Sequence, residues 1–444
     1  MGLLPYCVPV RVARMTYPET LAYLYESLPV FHRIGAAALK PDLTNTLALC
    51  HHLGNPHQRF RSVHVAGTNG KGSTSHLLAA VLQSAGYRTG LYTSPHLQSF
   101  TERIRVDGQQ MEPEAVVRFV AQNRAFLEEL KPSFFEMTVG LAFEYFVHRA
   151  VDVAVVEVGL GGRLDSTNVI TPELSLITNI GYDHQALLGN TLPEIAFEKA
   201  GIIKPGVPVV VSERQAEVEA VFVRKTEQEQ APLSFATDHY VLQSPGLRGG
   251  KLVVDVFRDQ RMYLPALESE LTGNYQLKNL PGVLQAVDGL VEQGYRIGED
   301  AIRRGIGGVS TLTGLKGRWQ TLGTHPRVVC DTGHNEDGIR AVVAQLESVP
   351  HRDLHVVLGV VNDKDLSRIL PLFPQSARYY FCQPDIPRAL PAAILREEAA
   401  KHGLRGELVP DVNAAVAQAK ARAHPDDLIF IGGSTFVVAE VAGL

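Results

Sequence analysis

The densest group of chemically useful residues is Val63-His64-Val65-Ala66-Gly67-Thr68-Asn69-Gly70-Lys71-Gly72-Ser73-Thr74. An apolar-leaning strand runs into three glycines, one lysine and a Ser/Thr pair. A helix carrying Leu77, Leu78, Val81 and Leu82 is expected to follow from near Ser75. Residues without side chains let successive backbone N–H groups turn toward one anion, and a helix N-terminus adds partial positive charge. Lys71 would meet the outer phosphates of a nucleotide, with the Ser73 hydroxyl available to a magnesium ion. The spacing is not that of the ordinary nucleotide loop, because Val65 stands where that pattern wants its first glycine and Gly72 where it wants Ser or Thr. What stands is G-x-x-G-K-G-S. A bare strand-to-helix turn has no use for the lysine, so the run is taken as a nucleoside triphosphate site.

Such a site needs oxygen ligands and few protein charges, because magnesium keeps some water and shares the phosphates. Glu157 closes the apolar run Val151-Asp152-Val153-Ala154-Val155-Val156 and is the best carboxylate candidate; the alternative is an ordinary acid at a strand end. His184, in Gly181-Tyr182-Asp183-His184, is a second candidate, although spacing alone supports a lone histidine weakly.

These residues need a frame. Helices are expected at 17–27, 43–53, 75–85, 112–130 and 136–149, and buried strands at 88–93, 151–156, 174–180 and 207–212. Strands alternating with helices imply a doubly wound, mostly parallel α/β sheet, whose ligands gather at the carboxyl ends of the strands. The phosphate loop, Ser94, Glu157 and Asp183-His184 all follow directly after expected strands, on that one edge. From about Phe235 to Leu271 shorter, polar-interrupted strands suggest an antiparallel flap. Helices at 275–293 and 300–305 lead to a linker, Thr311–Gly317. Strands at 327–330, 355–358, 377–381 and 428–431 then indicate a smaller second α/β domain. The expected division is 1–312 and 313–444.

Length supports two or three domains rather than one core. A net charge of −5 argues weakly against a nucleic-acid partner. Cys7, Cys50, Cys330 and Cys382 show no metal or redox spacing and suggest buried thiols in a reducing cytosol. No apolar run approaches the ~20 residues that span a bilayer. The Leu/Val patch before Arg14 is broken by Pro5 and Pro9, so no signal peptide is expected, and Met15 is a candidate start. The expectation is a cytoplasmic enzyme without a membrane partner.

Four long motifs, in order, resemble one family. They are His64 to Ser73, Thr93-Ser94-Pro95-His96-Leu97, Glu157 to Asn168 with its Gly159-Leu160-Gly161-Gly162-Arg163 core, and Glu198-Lys199-Ala200-Gly201-Ile202. Together with Gly317-Arg318 and Asp331-Thr332-Gly333-His334-Asn335 they resemble folylpolyglutamate synthase/dihydrofolate synthase, of the Mur-ligase superfamily of ATP-dependent amide-bond-forming enzymes. The resemblance implies a Mur-ligase-like central domain followed by a Rossmann-like ligase domain. It implies that Gly67, Thr68, Asn69, Gly70, Lys71, Gly72 and Ser73 hold the ATP phosphates, and that Ser94, Glu157 and His184 ligate magnesium. Lys199 matches a lysine that the family carbamylates, which would support a second metal ion. Asn279, Arg318 and Asp331 resemble adenine- and ribose-side contacts, and His334 the second-domain group on the γ-phosphate side. Thr332 departs from the small residue usual there. Ser434, in Gly432-Gly433-Ser434, is a weaker candidate facing the cleft.

On the pterin side the resemblance points to Phe135 and Glu136, and to Leu164, Asp165 and Ser166. Phe135 would stack on the ring and a carboxylate would pair bidentately with its 2-amino/N3 edge. The implied reaction phosphorylates a carboxylate with ATP and joins it to the amine of L-glutamate. Two acids fit, dihydropteroate and a reduced folate, in a monomeric enzyme. A muramyl-peptide ligase and a nucleotide-dependent switch without ligase activity are the alternatives.

Overall fold

The computed structural model of the chain describes residues 15–29 and 42–444. The Leu/Val patch before Arg14, with Cys7, lies outside the described residues.

The first sheet has eight strands: β1 (Arg61–Ala66), β2 (Thr89–Tyr92), β3 (Ile104–Val106), β4 (Gln109–Gln110), β5 (Val153–Glu157), β6 (Leu174–Ile177), β7 (Val209–Val211) and β8 (Leu233–Phe235). Their spatial order is β4-β3-β2-β5-β1-β6-β7-β8, parallel from β2 to β8, with β3 and β4 added antiparallel at one edge. The apolar run before Glu157 forms a central strand because both its faces are covered. Val153 and Val155 enter one core and Ala154 and Val156 the opposite one, as side-chain alternation requires. Helices Pro113–Leu130 and Phe134–His148 cover the latter face. Helices Lys71–Ser84, Gln276–Glu292 and Glu299–Gly307 cover the former.

The expected flap is a separate three-stranded antiparallel sheet of β9 (Tyr240–Arg248), β10 (Lys251–Arg258) and β11 (Arg261–Ser269). Its Val254, Val256, Leu264 and Leu267 join the core under helix Lys71–Ser84. That helix is buried from Ser73 to Leu82, and helix Glu299–Gly307 lies so close that a Cβ on Gly305 would sit 2.6 Å from the Val81 backbone.

A second sheet, in the order β12-β13-β17-β14-β15-β16, follows: β12 (Gln320–Thr324), β13 (Arg327–Cys330), β14 (Leu354–Leu358), β15 (Arg378–Phe381), β16 (Gly406–Leu408) and β17 (Leu428–Gly432). All pairs but β12–β13 are parallel. It carries its own two cores, Val329, Val356 and Phe430 on one face and Val328, Val357 and Ile429 on the other.

Two expectations about boundaries change. The helix after the phosphate loop starts at Lys71, not near Ser75, because Gly70 at φ +85° supplies the break that starts it. The linker expected over Thr311–Gly317 is helical as far as Thr313. Buried Thr313 Oγ1 donates to Val309 O at 2.6 Å and pairs with His76 Nδ1 at 2.7 Å, and Leu315 beyond it still packs on the core of the first unit. Among the described residues no helix is long and apolar enough to cross a membrane. Cys50, Cys330 and Cys382 are buried free thiols.

Candidate active site

The phosphate loop leaves β1 and is stitched to the segment that leaves β6. Asn69 N donates to Asn179 Oδ1 at 2.9 Å, and Thr178 Oγ1 donates to Asn69 O at 2.5 Å. Gly67 has φ +144°, and a Cβ there would lie 1.8 Å from Thr178 Oγ1, so no other residue fits. Lys71 opens the helix, and its Nζ folds back to donate to Gly67 O and Thr68 O at 3.0 and 3.1 Å. Ser73 is 1 % exposed, and its hydroxyl accepts from Gln276 Nε2 at 3.1 Å. Gln276 Oε1 accepts from Asn279 Nδ2, and Asn279 Oδ1 lies over Gly70, 2.2 Å from where a Cβ would be. Asn279 therefore roofs the phosphate loop, and Gln276, which the sequence did not single out, ties that roof to Ser73.

Behind the loop, Glu157 is buried and accepts one hydrogen bond, from Ser94 N at 3.3 Å. Burial pushes its carboxyl up to about 7, against the pull of the Lys71 and Arg318 charges and the Ser94 N–H. A buried carboxylate with one long donor is short of positive charge, which is the environment a divalent cation completes. His184 is held near pKa 4 by burial, despite Asp183, so at neutral pH its ring is uncharged, the form that ligates metals. Its backbone sits at φ +50°, a conformation non-glycine residues rarely adopt outside functional turns. Among the described residues no three His, Cys, Asp or Glu side chains form a ready-made metal cluster. A magnesium ion here would therefore share Glu157, His184 and Ser94 with phosphate and water oxygens.

Lys199 is buried at the end of helix Leu192–Ala200, and its Nζ donates to Gly67 O at 2.9 Å. Desolvation, helped by the Lys71 charge and resisted by Asp183 and Asp165, lowers its ammonium to about 7.

The C-terminal unit closes the other side. Arg318 Nη2 would be 3.2 Å from a Cβ on Gly72, and its guanidinium donates to Gly317 O and Thr332 Oγ1. It stands beside the phosphate loop. Thr332, the departure from the family pattern, thus supplies the oxygen that steadies Arg318. Asp331 is buried and accepts from Tyr275 Oη, Trp319 N and Gly333 N at 2.5, 2.7 and 2.8 Å. A ribose bond would be added to oxygens already in use. His334 Nδ1 donates to Thr332 O at 3.0 Å, and its Nε2 lies 3.4 Å from Asp183. Ser434 is buried and caps helix Thr435–Ala439 by accepting from Phe436 N.

On the expected pterin side both carboxylates make local hydrogen bonds. Glu136 is the fourth residue of a capping box, and its Oε2 accepts from Ser133 N at 2.6 Å. Asp165 Oδ1 accepts from Thr167 N and Oγ1, and its Oδ2 from Leu160 N. Asp165 thus has both oxygens engaged, whereas Glu136 Oε1 is buried with no hydrogen-bond partner among the described residues. Thr167 Oγ1 in turn meets His64 Nε2 at 2.8 Å, which fixes the Asp165 loop to β1. The tip of the Phe135 ring lies against Gly159, where a Cβ would be 2.4 Å from its Cζ, and Tyr92 is tilted against it at 6.1 Å. Leu164 is exposed beside the loop, and Ser166 is buried in the turn after it.

Two family models match the chain: the Mur ligase middle domain over residues 65–287 and the Mur ligase glutamate ligase domain over residues 317–435. The chain is 36% identical over 443 residues to a folylpolyglutamate synthase of Lacticaseibacillus casei, covering 96% of this chain and 98% of that one. It is 32% identical over 414 residues to a dihydrofolate synthase/folylpolyglutamate synthase of Bacillus subtilis, covering 91% and 94%. The structure of E. coli FolC in complex with DHPP and ADP superposes with a TM-score of 0.83 at 27% identity, over 96% of each chain. With both ligase domains matched in order and relatives matched nearly end to end, the chain belongs to the folylpolyglutamate synthase/dihydrofolate synthase family of Mur ligases.

Proposed function

We propose that this protein is an ATP-dependent ligase that joins L-glutamate to the carboxylate of dihydropteroate, giving dihydrofolate, and to the γ-carboxylate of reduced folates, giving polyglutamates. The observation that carries the reading is the meeting of Lys71, Asn279 and Arg318 around Gly70–Gly72, with the buried Glu157 behind them. A triphosphate in that place meets two cations and a helix N-terminus.

The chemistry runs in two steps. A carboxylate oxygen of the acid attacks the γ-phosphorus of ATP, the bond to the β–γ bridging oxygen breaks, and ADP leaves. Lys71, Arg318 and the loop N–H groups spread the charge that develops on the phosphoryl oxygens. The amine of L-glutamate then attacks the acyl carbon of the acyl phosphate, a proton leaves the nitrogen, and inorganic phosphate departs. Magnesium, held by Glu157, His184 and Ser94, would supply charge neutralisation at the phosphates. Closure of the C-terminal unit keeps water from the acyl phosphate.

Lys199 is suited to carbamylation: its neutral amine adds CO2 and releases one proton, which turns a buried cation into an anion able to support a second metal ion. The lowered ammonium pKa is the support for this reading. Phe135 on Gly159 offers an aromatic plane for the pterin ring, next to Leu164 and the Asp165–Ser166 turn. We divide the chain at residues 312 and 313, one residue before the helix Val309–Thr313 ends. The readings of a cytoplasmic monomer with no nucleic-acid or membrane partner rest on the sequence alone.

The test is a side-by-side assay of purified protein with dihydropteroate and with tetrahydrofolate, each with ATP and L-glutamate. ADP release that requires both the acid and glutamate, with transfer of carboxylate 18O into phosphate, supports the reading. ADP release that needs neither supports a nucleotide switch.

A further inference from the structure

Gly181, Tyr182 and Asp183 form a strip between the two units. On one side the strip is bonded to the phosphate loop: Gly181 N donates to Thr68 Oγ1 at 3.0 Å, and Thr68 Oγ1 donates to Gly181 O at 3.1 Å. On the other side each residue meets a different part of the C-terminal unit. A Cβ on Gly181 would lie 2.3 Å from Asp337 Oδ2, and the Arg368 guanidinium lies 5.5 Å from the Tyr182 ring centroid. Asp183 receives the most. Its Oδ1 accepts from Lys364 Nζ at 2.9 Å, its Oδ2 accepts from Asn335 Nδ2 at 3.2 Å, and His334 Nε2 stands 3.4 Å from the same oxygen. Asn335 Nδ2 also donates to Asn69 Oδ1, in the phosphate loop itself, at 3.0 Å.

The Lys364 and Asp183 side chains are only 11% and 14% exposed, so this ion pair is shielded from the water that weakens surface pairs. Two donors and the His334 ring, from two separate segments of the C-terminal unit, 334–335 and 364, converge on one carboxylate of the first unit. The carboxylate also accepts from its own neighbour, His184 N, at 2.9 Å, and the His184 ring lies 3.9 Å from Asp183 Oδ1.

We propose that Asp183 is a positioning residue of the ligase reaction: it sets the register of the C-terminal unit against the phosphate loop by gathering Lys364, Asn335 and His334, and the unit is not held closed without it. The role differs from the metal-ligand role proposed for His184. The kinetic arm of the test rests on the ligase reading, and the structural arm does not.

The test uses the full chain with Asp183→Asn, which keeps the His184 N–H acceptor but loses the charge, Asp183→Glu, Lys364→Met, and the Asn/Met double variant. Small-angle scattering is recorded with ADP and magnesium. The expected result is a larger radius of gyration for Asp183→Asn and for Lys364→Met than for wild type, and partial return in Asp183→Glu. In turnover, each single variant should lose about 10²-fold in kcat, the scale of a misplaced group. ADP affinity by calorimetry should fall as well, because an opened C-terminal unit takes Arg318 away from the phosphate loop. The double variant should be no slower than the worse single variant, because both act through one pair.

Wild-type scattering in both single variants, or kcat losses that multiply in the double variant, overturns the proposal. Lys364→Met lies on the other unit, so it decides the matter even if Asp183→Asn does not fold. If wild type shows no glutamate-dependent ADP release, the ligase reading fails while the scattering still judges this one.

Discussion

Lys199 Nζ donates to the carbonyl oxygen of Gly67 at 2.9 Å, and Lys71 Nζ donates to the same oxygen at 3.0 Å. Two lysines thus share one acceptor at the entry to the phosphate loop. One of them opens a helix at the cleft; the other is buried, and its proton is weakly held as a result.

That burial has a stability consequence with a definite sign. The folded Lys199 ammonium titrates near 7, while in the unfolded chain it titrates near the ordinary value of about 10.4. Between those values the unfolded state holds the proton that the folded state has given up, so the lysine's contribution to stability rises with pH across that window and is lost as pH falls toward 7. Lys199→Met removes this slope. In CO2-free buffer, the stability difference between wild type and variant should change between pH 7 and pH 9 by up to about 1.4 kcal/mol per pH unit, one proton's worth. Urea unfolding of both proteins at the two pH values measures it. A difference that does not move with pH rejects the buried ammonium. With bicarbonate present, Lys199→Ala should lose turnover that short carboxylic acids partly restore.

Glu157 works in the opposite direction. Burial raises its carboxyl to about 7 in the protein without metal, above the ordinary value of about 4.3. As pH rises from the lower value through the higher, the unfolded carboxyl ionises more readily than the folded one, and stability falls. A cation that binds the carboxylate must displace this proton, so magnesium should bind more weakly at pH 6 than at pH 8. Calorimetric titration of magnesium into the ADP complex at both pH values checks this. Glu157→Gln should bind magnesium weakly with little pH dependence.

The contact of Gly305 with the Val81 backbone holds the phosphate-loop helix against its neighbour without touching any reacting group. Gly305→Val forces side-chain atoms into a gap that does not admit one. It should destabilise the protein by about 1–3 kcal/mol, the usual cost of overpacking. Denaturant midpoints measure that loss, and kcat of the folded fraction should be nearly unchanged.

The sequence carried much of the frame in a form that could be read. The run before Glu157 is apolar on both faces, so it declared a central strand, and glycines around Lys71 declared the loop. Strands of the C-terminal unit with three or four apolar residues were equally plain. What stayed hidden were elements and contacts with no local signature. β3 and β4 are three and two residues long, and β16 is half polar; each exists because a neighbour offers a ladder edge. Glu136 closes a capping box that Ser133, three residues earlier, already marked in the sequence. Gln276, Thr178 and Asn179 bond the loop from other parts of the chain. Of these, Thr178 and Asn179 follow the end of β6, where the strand-end rule pointed; Gln276 had no signal of its own.

Lys71 offers the most direct test of the reaction. Its ammonium rests on Gly67 O and Thr68 O, within the loop that is to hold phosphate, so it braces the loop before any anion arrives. Lys71→Met would remove both the brace and the charge. If the lysine only shaped the loop, the variant would bind ATP poorly but turn over normally when saturated. If it neutralises charge that develops on the transferring phosphoryl oxygens, the loss appears in kcat, because that charge exists only in the transition state. The expected outcome is a kcat lower by on the order of 10²-fold or more, with a smaller change in the KM for ATP. Steady-state kinetics over a range of ATP at saturating folate and glutamate separates the two. An unchanged kcat with a raised KM would make Lys71 a binding residue only, and would leave Arg318, against Gly72, as the cation that meets the developing charge.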